Sequence, residues 1–229
     1  MHLGNPCTYS YHMKNSDLST TKINSSNTER DLGIHIATSL KSSEHIKVIT
    51  NKANKVLGCI KRSFTYLDNE MLVTLYKSLV RPIVEYGSPV WSPHMIKDIT
   101  EVEKIQRQAT KLVPDIKDLP YTQRLLSLGL PTLLYRRDRR DLIEVFCTLQ
   151  SPNQTLFNVS ESTRLRGHSK KIVKEEHYRR NVRLNFFSQR TINTWNSLPD
   201  SVVSASTLNQ FKSLLNSLTW HDNKFNFPY

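Results

Sequence analysis

The chain has 229 residues, 38% of them hydrophobic and 23% charged, with only six glycines. That is enough for one large or two small domains with a real core, and it excludes a disordered or collagen-like chain. The formal net charge is +12, and it is uneven: nine Lys or Arg between Arg164 and Arg190 stand against only Glu175 and Glu176, so this window alone carries +7. Clustered positive charge suits a polyanion, because neutralised phosphates release condensed counterions.

Residues 1–40 read as β structure. TYSYHM alternates weakly, and Ile34 and Ile36 alternate after Gly33, with a polar, turn-like stretch between them. An isolated hairpin is marginal in water, so the chain reads as beginning inside a larger element. The opening MHLGNPCTYSYHM has no basic segment followed by an apolar one, and no secretory signal is expected. Cys7, Cys59 and Cys147 are widely separated and odd in number, which fits neither a disulfide framework nor a metal knuckle. A reduced intracellular protein, cytoplasmic or nuclear, is the expectation.

The clearest helix follows. Ser43 can cap it, and Ile46, Ile49, Ala53, Val56, Ile60 and Phe64 recur every three to four residues. Lys47, Lys52, Lys55, Lys61 and Arg62 fall largely off that stripe. A basic amphipathic helix can lie on a phosphate backbone, on an acidic membrane surface, or simply in solvent. Asp68 caps a second helix whose stripe is Met71, Leu72, Leu75, Tyr76, Leu79 and Val80; Pro82 interrupts it or opens a new turn. Trp91, in a short segment closed by Gly87, Pro89 and Pro93, reads as a core anchor rather than a base-stacking platform.

A third helix starts at Asp98 or Thr100 with Val102, Ile105, Ala109, Leu112 and Val113 inward, and Pro114 ends it. Glu101, Glu103, Lys104, Arg107 and Lys111 mix signs as a solvated face does. Pro120 opens a short helix that Gly129 stops, and Pro131 opens a longer one through about Gln150. Leu134, Leu142, Val145, Phe146 and Leu149 can line the latter. Arg136, Arg137, Arg139 and Arg140 crowd its first half, a second candidate polyanion site among Asp138 and Asp141, where local ion pairs are the simpler account. After a loop-like stretch come the basic run, a helix over Asn185 to Ser197 with Phe186, Phe187, Ile192 and Trp195 buried, a break at Pro199, and a last helix from about Thr207 to Leu218.

Catalytic motifs are missing. No phosphate-cradling glycine loop, His-Glu-x-x-His or Gly-x-Ser-x-Gly occurs. His168 and His177 lack Cys or carboxylate partners at ligand spacing and read as surface histidines. Two-metal phosphoryl transfer needs carboxylates held together, and the chain contains no Asp-Asp dipeptide. No metal, no cofactor and no complete catalytic constellation are expected.

Several blocks nevertheless stand in a distinctive order: MHLG (1–4), DLGIHI (31–36), EHIKVITNKANKVLGCIKRSF (44–64), YKSLVRPIVEYGSPVWSPH (76–94) and VEKIQRQATKLV (102–113). LLSLGLPTLLYRRDRRDLIEVF (125–146), RGHSKK (166–171) and FFSQRTINTWNSLPDSVVSASTLNQFKSLL (186–215) complete them. This series resembles the C-terminal part of the reverse transcriptases of non-LTR retrotransposons of the jockey and chicken-repeat-one type, over nearly the whole chain.

The resemblance implies a mainly α fold: a palm remnant over 1–40 forming a short β-hairpin stub, a helical thumb-like bundle over 41–115, and a smaller helical C-terminal region over 116–229 with its basic stretch at 164–190. The family's catalytic Asp-Asp motif lies upstream of MHLG, so the chain is expected to be no enzyme by itself. The implied partner is RNA or an RNA–DNA hybrid rather than a membrane. Its phosphates would be held by Lys47, Lys52, Lys55, Lys61 and Arg62 on the thumb-like helix. A second patch would be Arg164, Arg166, Lys170, Lys171, Arg179, Arg180, Arg183 and Arg190. A helical protein-interaction module, or a domesticated or inert remnant of a mobile element, is the alternative.

Overall fold

The computed structural model describes residues 9–160, 167–175, 181–218 and 224–229. The protein is mainly α. Two antiparallel hairpins come first, one more than expected: β1 (His12–Lys14) pairs with β2 (Thr20–Lys22), and β3 (Thr28–Asp31) with β4 (Ile34–Ala37). Leu32 and Gly33 form the β3–β4 turn, both with positive φ (45° and 87°), as the tight turns that match strand twist require. Of the four strands, only β4 turns residues into a core, Ile34 and Ala37. Ile34 Cδ1 leaves no room for a side chain at Gly87: a Cβ there would come within 2.8 Å of it. Tyr86 Oη donates to Leu32 O at 3.0 Å and fixes the hairpin to the helices.

Helix α1 (Ser43–Ser63) buries Ile46, Ile49, Ala53, Leu57 and Ile60. Phe64, expected on that stripe, ends the helix in an extended conformation and is 37% exposed. Ser43 does not cap its own helix. Its hydroxyl donates to Asp98 Oδ2 at 2.6 Å, tying the start of α1 to α5 (Ile96–Thr110).

Helix α2 (Asn69–Leu75) is capped as expected, Asp68 accepting from Met71 N at 2.8 Å. It runs into a π-helical turn (Tyr76–Val80) and then α3 (Arg81–Glu85), which carries Pro82 in its first turn. Proline lacks an N–H and its ring collides with the carbonyl four residues back. The wider turn relieves both faults, and Arg81 N bonds to Tyr76 O five residues back. This turn also decides what is buried: Leu72, Tyr76, Val80 and Val84 face inward, whereas Met71 and Leu79, expected in the stripe, are 40% and 48% exposed. Helix α4 (Ser88–Trp91) buries Trp91, the core anchor expected.

Helix α6 (Tyr121–Leu128) ends at left-handed Gly129, and α7 (Leu133–Gln150) is capped by Thr132 Oγ1 accepting from Tyr135 N. The single helix expected over 185–197 is two short pieces, α9 (Phe187–Arg190) and α10 (Ile192–Asn196), and a third, α8 (Asn181–Leu184), precedes them. Phe186 sits in the break, extended and 37% exposed, and is not buried as expected. Then α11 (Asp200–Val203) follows Pro199, and α12 (Leu208–Ser217) starts at the Thr207 cap.

Two hydrophobic cores result. The first runs from Ile34 to Leu133 and contains Tyr76, Trp91, Val102, Ile105, Leu125 and Leu130. The second runs from Leu142 to Leu215 around Phe146, Trp195 and Phe211, with the Phe146 and Phe211 rings stacked at 4.3 Å. Helix α7 gives its first residue to one and its second half to the other. The C-terminal tail returns to the first core, where Phe225 packs and Thr132 N donates to Lys224 O at 2.9 Å.

Candidate nucleic-acid interface

The exposed side of α1 is unusually one-signed. No acidic residue occurs between Glu44 and Asp68, and that interval holds Lys47, Lys52, Lys55, Lys61 and Arg62. All five are exposed. At 3.6 residues per turn, positions 47, 51, 55, 58 and 62 fall on one line along the helix, so Lys47, Lys55 and Arg62 form a stripe roughly 22 Å long. Asn51 and Gly58 lie between them, while Lys52 and Lys61 stand on opposite flanks. Lys47 Nζ reaches Glu44 Oε1 at 2.9 Å, an exposed pair of little strength. Among the described residues, Lys52, Lys55 and Lys61 make no side-chain hydrogen bond or ion pair.

The C-terminal candidates are different. Arg164, Arg166, Arg179 and Arg180, together with His177, lie outside the described residues. Arg190 is not part of a free basic surface. Its guanidinium donates to both carboxylate oxygens of Asp141 at 3.0 Å and to Pro89 O at 2.8 Å. It thereby joins α9 to α7 and to α4. Burial pushes the Asp141 carboxyl up to about 6, against the pull of Arg190. Arg183 is held by Glu175, with Nη2 to Oε1 at 2.9 Å, and lies over the Phe186 ring. Lys170 and Lys171 lie in a strap, residues 167–175, whose backbone is fixed by α10. Trp195 Nε1 donates to Lys170 O at 2.9 Å, and the Asn196 side chain accepts from Ile172 N and donates to Ile172 O at 2.9 and 2.8 Å. His168, expected at the surface, is buried beneath this contact, its Nε2 3.1 Å from Trp195 O. The strap is exposed on its other side, where Lys170 and Lys174 lie.

The arginines of α7 are structural. Arg137 is 2% exposed, Arg136 is paired with Glu85, Arg139 Nε donates to Asn216 Oδ1 at 2.9 Å, and Arg140 Nη1 reaches Glu85 O at 3.2 Å. These partners are distant in sequence, not local. They take Arg136 and Arg139 out of a free basic surface, burial takes Arg137, and Arg140 stays exposed.

Glu103 is the largest departure from expectation. Placed by sequence on a solvated face, it is fully buried. Its Oε1 accepts from Tyr121 Oη at 2.6 Å and its Oε2 from Leu133 N at 2.9 Å. It therefore sits at the N-terminus of α7, where unpaired amides and the helix dipole favour negative charge. Gln106 extends the network, accepting from Tyr76 Oη at 2.7 Å and donating to Pro131 O at 3.0 Å. Burial raises the carboxyl's proton affinity while Tyr121 and Arg137 lower it. The group is sealed from solvent and its partners are structural. A signal for it was present: Glu103, Gln106 and Thr110 recur at helical spacing beside Val102, Ile105 and Ala109, a polar line within the buried face.

Two clefts accompany these features. One of about 410 Å³ lies where β4, α4 and residues 183–188 meet, lined by Trp91, Phe186 and Phe187. The other, about 560 Å³, opens between the C-terminal ends of α1 and α5. Among the described residues no group of three His, Cys, Asp or Glu could hold a metal, and no helix is long and apolar enough to cross a membrane. No family model, no curated protein and no solved structure matches the chain.

Proposed function

We propose that this chain grips the phosphate backbone of a template–primer duplex, RNA or RNA–DNA hybrid, as the thumb and following region of a non-LTR retrotransposon reverse transcriptase. The observation that carries this is the exposed basic face of α1, with no acidic residue after Glu44, whose sequence block is one of the ordered blocks that resemble the family. Lys47, Lys55 and Arg62 make the line of contact, with Lys52 and Lys61 at its edges. The strap bearing Lys170 and Lys171 is the second contact; Arg183 and Arg190 serve the fold. Such contacts position a duplex without reading its bases. The family's catalytic aspartate pair has no counterpart in this sequence, so primer extension by the purified chain is expected to be absent.

Fluorescence anisotropy with a labelled RNA–DNA hybrid tests the grip. Affinity should fall steeply with salt, log K against log salt having a slope of about −3 to −5 for three to five phosphates neutralised. Replacing Lys47, Lys55 and Arg62 by Gln should flatten the slope by about one unit per charge. Affinity that stays constant from low to moderate salt, or that ignores these substitutions, overturns the phosphate grip and leaves a surface for acidic proteins as the better account.

A further inference from the structure

The cleft between the C-terminal ends of α1 and α5 has a lining that combines cations, unpaired carboxamides and an aromatic ring. Lys61 and Asn54 reach it from the flank of α1, Lys111 and Gln108 from the end of α5, and Phe64 and Thr65 from the loop that follows α1; Leu57 and Leu67 form its apolar floor. No acidic side chain lines it. The segment beside it is braced by Tyr66 Oη, which donates to Asp115 Oδ2 at 2.9 Å and so occupies the carboxylate next to it in the chain after α5.

Three observations bear on what it takes. Its volume of about 560 Å³ falls within the range of small-molecule sites, roughly 300–1,000 Å³. The side chains of Lys61, Lys111, Asn54 and Gln108 make no hydrogen bond or ion pair among the described residues, so donors and acceptors converge with nothing of the protein to satisfy them. Phe64, which sequence periodicity assigns to the core, instead leaves the helix and is partly exposed beside them.

We infer that this cleft binds a nucleotide, its aromatic base on Phe64 and the apolar floor, its edge toward Asn54 and Gln108, and its phosphate between Lys61 and Lys111. The lysines are indispensable for an electrostatic reason. Both helices present their C-terminal ends here, the negative ends of their dipoles, which disfavour an anion. Without the two lysines the cleft would repel phosphate. The site shares only Lys61 with the duplex grip: it faces the α5 side of α1, whereas the Lys47–Lys55–Arg62 stripe faces away from the helix bundle. A free nucleotide and one unit of a single strand offer the same chemistry.

The test is a titration of the full chain with a fluorescently labelled adenosine monophosphate, competed by unlabelled AMP, adenosine, inorganic phosphate and a short single-stranded oligonucleotide. Saturable binding is expected, displaced by AMP and not by adenosine or phosphate at the same concentration. K61Q/K111Q should weaken it by about tenfold or more, since two charge-assisted contacts are lost. Phe64→Ala should weaken it severalfold, circular dichroism showing an unchanged helix content. The stripe variant K47Q/K55Q/R62Q should bind the nucleotide as before while losing hybrid affinity, which separates this site from the duplex grip. An oligonucleotide that competes better than AMP assigns the cleft to a strand, and a worse one assigns it to free nucleotide. No saturation by about 1 mM, a regime of binding near −4 kcal/mol, equal competition by inorganic phosphate, or unchanged affinity in K61Q/K111Q would each overturn the assignment.

Discussion

His45 shows how a single side chain couples the hairpin to the helices. It is 2% exposed, packs on Trp91 with ring centroids 5.2 Å apart, and its Nδ1 accepts the His35 N–H at 3.2 Å. That bond requires an unprotonated Nδ1, and burial, with His35 adding to it, pushes the pKa from 6.5 down to about 4. The unfolded chain therefore binds the proton first. Stability linked to His45 is full above about pH 6.5 and is lost as the pH falls toward 4. Thermal unfolding at pH 7 and 4.5 should show the protein losing on the order of 2 kcal/mol more than His45→Asn, which keeps an acceptor but does not titrate. Asp141, raised to about 6, acts with the opposite sign in part of this range, and comparison with the variant cancels it.

Among the elements, α9 is too short to hold itself and depends on Arg190. Replacing Arg190 by Ala leaves Asp141 buried without its cation and Pro89 O without its donor, which should cost about 3–5 kcal/mol. Arg183→Ala, whose partner Glu175 is partly exposed, should cost about 1 kcal/mol or less. Chemical denaturation ranks the two. If Arg190→Ala left stability intact and lowered hybrid affinity instead, Arg190 would belong to the binding surface after all.

The same contrast explains what could be read from the sequence. Helices α1, α6, α7 and α12 and the Asp68 and Gly129 caps follow from periodicity and local chemistry, and so do the exposed lysines of α1, because a basic residue off an apolar stripe has only solvent to face. Arg190 and Glu103 were misplaced because their partners lie 18 to 101 residues away, and Arg137 because only the fold shows that it is buried. Charge density along the chain cannot tell a paired arginine from a free one. The nucleotide-sized cleft was equally hidden: it exists only because α1 and α5 end side by side.

At the scale of the molecule, α7 is the shared beam. Its first residue, Leu133, belongs to the first core, and Leu142, Val145 and Phe146 to the second. The chain after it crosses back, since Arg190 reaches Pro89 and the tail packs Phe225 on the first core. The two cores should therefore unfold together. Trp91 lies in one and Trp195 in the other. With Trp220 and one of these two replaced by Phe, each remaining Trp reports its own core, and the two denaturation curves should coincide; midpoints clearly apart would mean two independent units.

The π-helical turn at Tyr76–Val80 has one more consequence, for the length of the chain. It spends an extra residue between Tyr76 and Val80, and the three in between, Lys77, Ser78 and Leu79, are exposed. Deleting Ser78 would close the turn to ordinary helical pitch and return the buried positions to alternating spacings of four and three, the natural stripe of an α-helix. The same deletion at Lys55 in α1 would swing Leu57 and Ile60 about 100° off the core. A one-residue shortening at Ser78 should thus keep the buried stripe and cost only the Pro82 clash that the wider turn relieves, about 3 kcal/mol, whereas at Lys55 it should be ruinous, a difference that melting curves of the two deletions would show directly.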